Sequence, residues 1–159
     1  MLFKKLVSLF LPAVVLAQGT PDLATALGAN ANLSVLAGLV KAQPQLLQAL
    51  GSATNITILA PNNNALSTLL NTTAGKSLAS DPGAVTALLS YHVLNGTYFS
   101  SQIMNTSSFI PTLLNNASYA NVTGGQRVEA LLAHNNVTIF SGLLENSTVV
   151  QAVSLHRFV

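Results

Sequence analysis

A chain of 159 residues, half of them hydrophobic, with six Lys and Arg against four Asp and Glu and no cysteine, is long enough for one domain with its own core. The absence of cysteine excludes a disulfide framework and thiolate metal sites. So few scattered Lys and Arg exclude the clustered basic surface that nucleic-acid binding requires.

In chain order, Lys4 and Lys5 precede an uncharged apolar run from Leu6 to Leu16 that closes on Val15-Leu16-Ala17. This is the layout of a secretory signal peptide, residues 1–17, cleaved after Ala17. The run is shorter than the roughly 20 residues a membrane-spanning helix needs, so no transmembrane segment is expected there. Without it, Lys41, Lys76, Arg127 and Arg157 balance Asp22, Asp81, Glu129 and Glu145, and the mature chain is neutral. Packing, with neither disulfides nor charge, has to hold the fold together.

Thr20-Pro21 predicts an N-cap and first-turn proline, with Leu23, Ala26 and Leu27 at helical spacing behind them. Asn32 is the expected cap of a second helix carrying Leu33, Leu36, Ala37 and Val40 on one face. A third helix follows Pro44, with Leu46, Leu47 and Leu50, and Gly51 is expected to end it. Alternation in "NITILAP" then predicts a strand over residues 55–60, stopped by Pro61. Leu66, Leu69 and Leu70 restore helical spacing, with Asn62, Asn63 and Asn64 placed to supply capping and turn hydrogen bonds. Asp81-Pro82 opens another helix, on which Val85, Leu88, Leu89 and His92 share the apolar face and after which a loop carries Asn95. Beyond Asn105 the pattern breaks into short strand-like pieces: "SFIPTLL", "YANV", "QRVEALLA", "VTIF" and "STVVQAV". The spacing of "QRVEALLA" fits helix nearly as well as strand. Helices early and hairpin-linked strands late predict an α+β domain.

Of fifteen asparagines nine begin an Asn-x-Ser/Thr sequon, at Asn32, Asn55, Asn71, Asn95, Asn105, Asn116, Asn121, Asn136 and Asn146. About three would arise by chance from the Ser and Thr content, and N-glycosylation is the physical use of the motif. Attached glycans would supply the hydration that the missing charges do not.

No catalytic constellation stands out. A catalytic histidine needs a nucleophile and an orienting acid nearby, and a zinc site needs three or four N, O or S ligands. With four scattered acids neither can be assembled around His92, His134 or His156. His92 therefore reads as a core histidine whose ring nitrogens are satisfied by hydrogen bonds. "TGGQR" lacks the spacing of a phosphate loop. No cofactor, metal or catalytic residue is expected.

"TILAPNNNAL", residues 57–66, followed by "LLSYHVLNGTY", residues 88–98, resembles the paired signature of the fasciclin domain. Thr57, Ala60, Pro61, Asn63, Ala65, Leu66, Tyr91 and His92 occupy its positions. The resemblance covers roughly residues 20–150, and the sequon density is similar to fungal secreted members. It implies short N-terminal helices packed on a β-sandwich or wedge in a single domain, residues 18–152. It also implies a secreted, non-catalytic adhesion or matrix module, at the cell surface or in the wall, that meets an extracellular protein or glycan partner. An interaction surface is then expected around Tyr91 and His92. A carrier of a small apolar ligand such as a lipid is the alternative from a different class.

The family closes with an apolar-His-apolar-apolar-Asp segment on a final strand, and "VSLHRFV", residues 153–159, does not fit it. This atypical tail is expected to come from a reading frame that entered an intron, since the splice-donor sequence GT(A/G)AGT translates in phase as Val-Ser. If the end is genuine instead, the final strand is missing, with unpaired backbone and apolar surface, and poor secretion or aggregation is the expected result.

Overall fold

A computed structural model describes residues 23–120 and 122–150. The signal peptide, the Thr20-Pro21 start and the tail 153–159 lie outside the described residues. The helical part opens with α1 (Leu23–Gly28), a 3₁₀ turn at Ala31–Leu33, α2 (Ser34–Lys41) and α3 (Pro44–Ser52). After strand β1 (Ile56–Ile58) come α4 (Asn63–Asn71), α5 (Thr73–Ala79) and α6 (Pro82–Tyr91). Strands β2 (Val93–Asn95), β3 (Ser108–Pro111), β4 (Arg127–Ala133), β5 (Asn136–Phe140) and β6 (Asn146–Thr148) follow, with a 3₁₀ turn at Ser100–Gln102. The expected α+β architecture is what forms, and among the described residues no helix is long and apolar enough to cross a membrane.

The helices start where local chemistry stops the chain from being extended. Pro44 and Pro82 occupy first-turn positions, where their missing N–H costs no hydrogen bond. The Asn62 side chain accepts from Ala65 N at 2.9 Å and the Asp81 side chain from Gly83 N at 2.8 Å, each capping its helix.

Several expectations need correction. Asn32 does not cap α2: it lies inside the 3₁₀ turn, which Asn30 caps by accepting from Asn32 N. Gly51 does not end α3, which runs one residue further. "YANV" forms turns, not a strand, over its described residues. Asn95 lies at the end of a strand, β2, and not in a loop.

The strands form an antiparallel pair β1-β2 and an antiparallel sheet ordered β3-β4-β5-β6. Residues His134 and Asn135, both with positive φ, make the two-residue turn between β4 and β5 that a type I′ hairpin requires. An isolated antiparallel bridge between Leu94 and Thr112 links β2 to the chain leaving β3. Leu113 N donates to Val93 O at 2.8 Å beside it.

Two hydrophobic clusters result. The first gathers the helices: Leu23, Leu27, Leu36, Val40, Leu50, Leu66, Val85 and Leu89, with Val93. The second lies on the sheet: Leu94, Ile110, Val128 and Ala130, with Tyr91 and Ile139 against it. Successive residues of β2 point to opposite sides, as strand geometry requires, so Val93 belongs to one cluster and Leu94 to the other.

Candidate functional site

The signature residues converge where β1 meets β2 and where α4 begins. Thr57, half-buried on β1, faces Leu94 in the register. Its hydroxyl donates to Gly96 O and accepts from Tyr98 N, both at 2.9 Å. One side chain thus fixes the turn after β2, where Gly96 has φ of 132° and Tyr98 folds back over it. Thr57→Val keeps the shape and removes both bonds. The expected loss is about 1–2 kcal/mol, read as a lowered denaturation midpoint with unchanged urea m-value.

Ala60 is exposed, while Pro61 is half-buried against the helical cluster. Asn63 reaches back to the start of α2. Its Oδ1 accepts from Val35 N at 3.0 Å, and its Nδ2 donates to Ala31 O at 2.8 Å and to Ser34 Oγ at 3.0 Å. Leu33, the residue at the N-cap position of α2, offers no side-chain acceptor, so Asn63 caps that helix from a distant part of the chain.

Tyr91 and His92 end α6, with His92 as its C-cap. Both are half-buried, and their rings meet edge to face with centroids 6.0 Å apart. The Tyr91 hydroxyl accepts from Gly142 N at 3.0 Å, which ties α6 to the β5–β6 turn. His92 Nδ1 lies 2.8 Å from Leu88 O, and His92 O accepts from Leu59 N at 2.7 Å. His92 also lines a cavity of about 20 Å³ with Leu27, Leu36, Val40, Leu89 and Pro61. That space holds no more than about one water.

Elsewhere, partial desolvation pushes the Tyr119 phenol above its ordinary pKa. The nearby Asp81 carboxylate, whose Oδ2 accepts from the hydroxyl at 3.3 Å, acts in the same direction. Among the described residues no three His, Asp or Glu side chains gather in a way that could hold a metal ion. Of the other histidines, His134 is an exposed turn residue and His156 lies outside the described residues.

Eight of the nine sequon asparagines are described, and all eight are exposed: Asn32, Asn55, Asn71, Asn95, Asn105, Asn116, Asn136 and Asn146. Asn121 lies outside the described residues. Asn55 Oδ1 accepts from Thr97 N at 2.9 Å, so the sequons at Asn55 and Asn95 share one corner of the fold.

The long-range polar contacts of Asn63 and Tyr91 were not derivable from spacing, because their partners are 28 to 51 residues away. The only signal for them was the resemblance that singled out both positions.

The chain is 34% identical over 73 residues to a "Fasciclin-like arabinogalactan protein" of Arthroderma benhamiae. The matched stretch is 46% of this chain and only 17% of that protein, so the chain corresponds to a small part of the relative's length. The family model described as "Fasciclin domain" matches residues 31–155, which include every signature residue and both hydrophobic clusters beyond α1. The chain belongs to the fasciclin domain family.

Proposed function

We propose that this chain is a secreted, N-glycosylated, non-catalytic module that acts in adhesion at the cell surface or in the surrounding wall or matrix, with an extracellular protein or glycan as partner. The observation that carries the reading is the exposure of all eight described sequon asparagines on a chain with almost no charge. Glycans at these positions cover a surface that the four acids and four bases beyond residue 17 leave poorly hydrated. The family and the name of the fungal relative agree with this setting.

The polar atoms of the signature support the same reading. Thr57, Asn63, Tyr91 and His92 spend their described hydrogen bonds inside the fold, which leaves the segment to shape a surface by holding its backbone. A lipid carrier would need an enclosed apolar cavity of roughly 300 Å³ or more. The apolar cavity beside His92 holds about 20 Å³, and the larger space beside α6, about 420 Å³, is an open groove lined in good part by amide and hydroxyl side chains.

Expression of the full sequence in a eukaryotic host tests the proposal. The protein is expected to enter the secretory pathway, and N-glycan removal is expected to lower its mass by several glycans whether it reaches the medium or is retained before it. Intracellular accumulation of a protein whose mass does not change on that treatment would overturn the reading.

A further inference from the structure

An open groove of about 420 Å³ lies between the start of α3, one face of α6 and the chain at residues 113–116. This is within the range of roughly 300–1,000 Å³ common for small-ligand sites. No charged residue lines it. Its polar lining is amide and hydroxyl only: Gln43, Gln45, Thr86, Ser90, Asn115 and Asn116.

Thr86 is engaged with Pro82 O at 2.9 Å and Gln43 Oε1 at 3.3 Å. The side chains of Gln45, Ser90 and Asn115 make no hydrogen bond with the described residues. Leu113, Leu114 and Ala87 add apolar surface beside them. Neutral donors and acceptors around an apolar strip suit a pyranose ring, which presents C–H groups on its faces and hydroxyls or an acetamide at its edge.

Asn116 is itself part of this lining and begins the sequon Asn116-Ala117-Ser118. Its Oδ1 accepts from Ser118 N at 2.9 Å, while Nδ2, the atom that carries an N-glycan, has no protein partner among the described residues. We propose that the groove seats the first N-acetylhexosamine units of the glycan carried by Asn116. The sugar then bridges α3 and α6 to the chain that leads into β4. A covalently tethered sugar reaches an effective concentration in the mM range, so it fills the groove ahead of free saccharide. This inference rests on the reading of the sequons as glycosylated.

The test is enzymatic N-glycan release from the native secreted protein, followed site by site with glycopeptide mass spectrometry. Release at Asn116 is expected to be about tenfold slower than at Asn71 and Asn136, which are exposed and outside the groove, and to match them after denaturation. The double variant Gln45→Ala, Asn115→Ala alters two exposed side chains and keeps the sequon, and it is expected to speed release at Asn116. Equal native rates, or a rate that the double variant leaves unchanged, would overturn the inference. Glycans elsewhere but none at Asn116 would also overturn it while sparing the wider reading, and no glycan at any site would overturn both.

Discussion

Gly75→Ala is expected to lower the stability of the domain by about 3 kcal/mol, the upper end of ordinary overpacking. A Cβ at Gly75 would stand 1.9 Å from Leu69 O, 2.6 Å from Leu69 C and 3.0 Å from Leu70 Cα. All three are backbone atoms, so no side-chain rotation relieves the clash. Only Thr72 separates α4 from α5, and its N–H and hydroxyl both donate to Leu69 O, at 3.0 and 2.7 Å. Its hydroxyl also accepts from Gly75 N at 2.9 Å, so moving Leu69 breaks the cap of α5 as well. With a total stability of about 5–15 kcal/mol, the variant should show a clearly lower urea midpoint. Gly38→Ala is the control, because nothing lies within 4 Å of a Cβ there. In the interior of α2 it is expected to stabilise by about 0.5–1 kcal/mol. Equal effects of the two substitutions would show that the close approach at Gly75 is not what constrains this corner.

The second large effect is expected at the asparagine run. Asn63→Ala removes the acceptor for Val35 N and the donor to Ala31 O and Ser34 Oγ, and should cost about 2 kcal/mol. Asn62→Ala removes only the cap of α4 and should cost about 1 kcal/mol. Asn64 is exposed and makes no side-chain hydrogen bond with the described residues, so Asn64→Ala should be close to neutral, within about 0.5 kcal/mol. Three adjacent asparagines thus predict three separable denaturation midpoints. A result in which Asn64→Ala costs as much as Asn63→Ala would remove the cap of α2 as the reason for the motif.

How much of this was legible depended on how far apart the interacting residues lie. Asp81-Pro82 and Pro44 announce helix starts through contacts within one turn, and these helices form where the spacing puts them. α5 carries no apolar periodicity to read, because its buried residue is Gly75. β2 has no alternation to read, because Val93-Leu94-Asn95 is only three residues long and follows directly from an apolar helix. "QRVEALLA" was ambiguous between helix and strand, and pairing on both sides, with β3 and β5, decides it as strand. Its alternating burial at Val128 and Ala130 could be weighed only once those partners were known. At the candidate site, the Asn62 cap of α4 lies within one turn and is announced by local spacing. The cap across 28 residues from Asn63 to Val35 had no local signature.

β2 has a consequence beyond its length. Val93 and Leu94 are 1% and 2% exposed, and each belongs to a different hydrophobic cluster. The strand pairs with β1 on one edge and bonds the chain after β3 on the other. The helical half cannot open without baring the flank of the sheet half, and the reverse is equally true. Three residues therefore make the two clusters a single cooperative folding unit, with one shared transition in place of two independent ones.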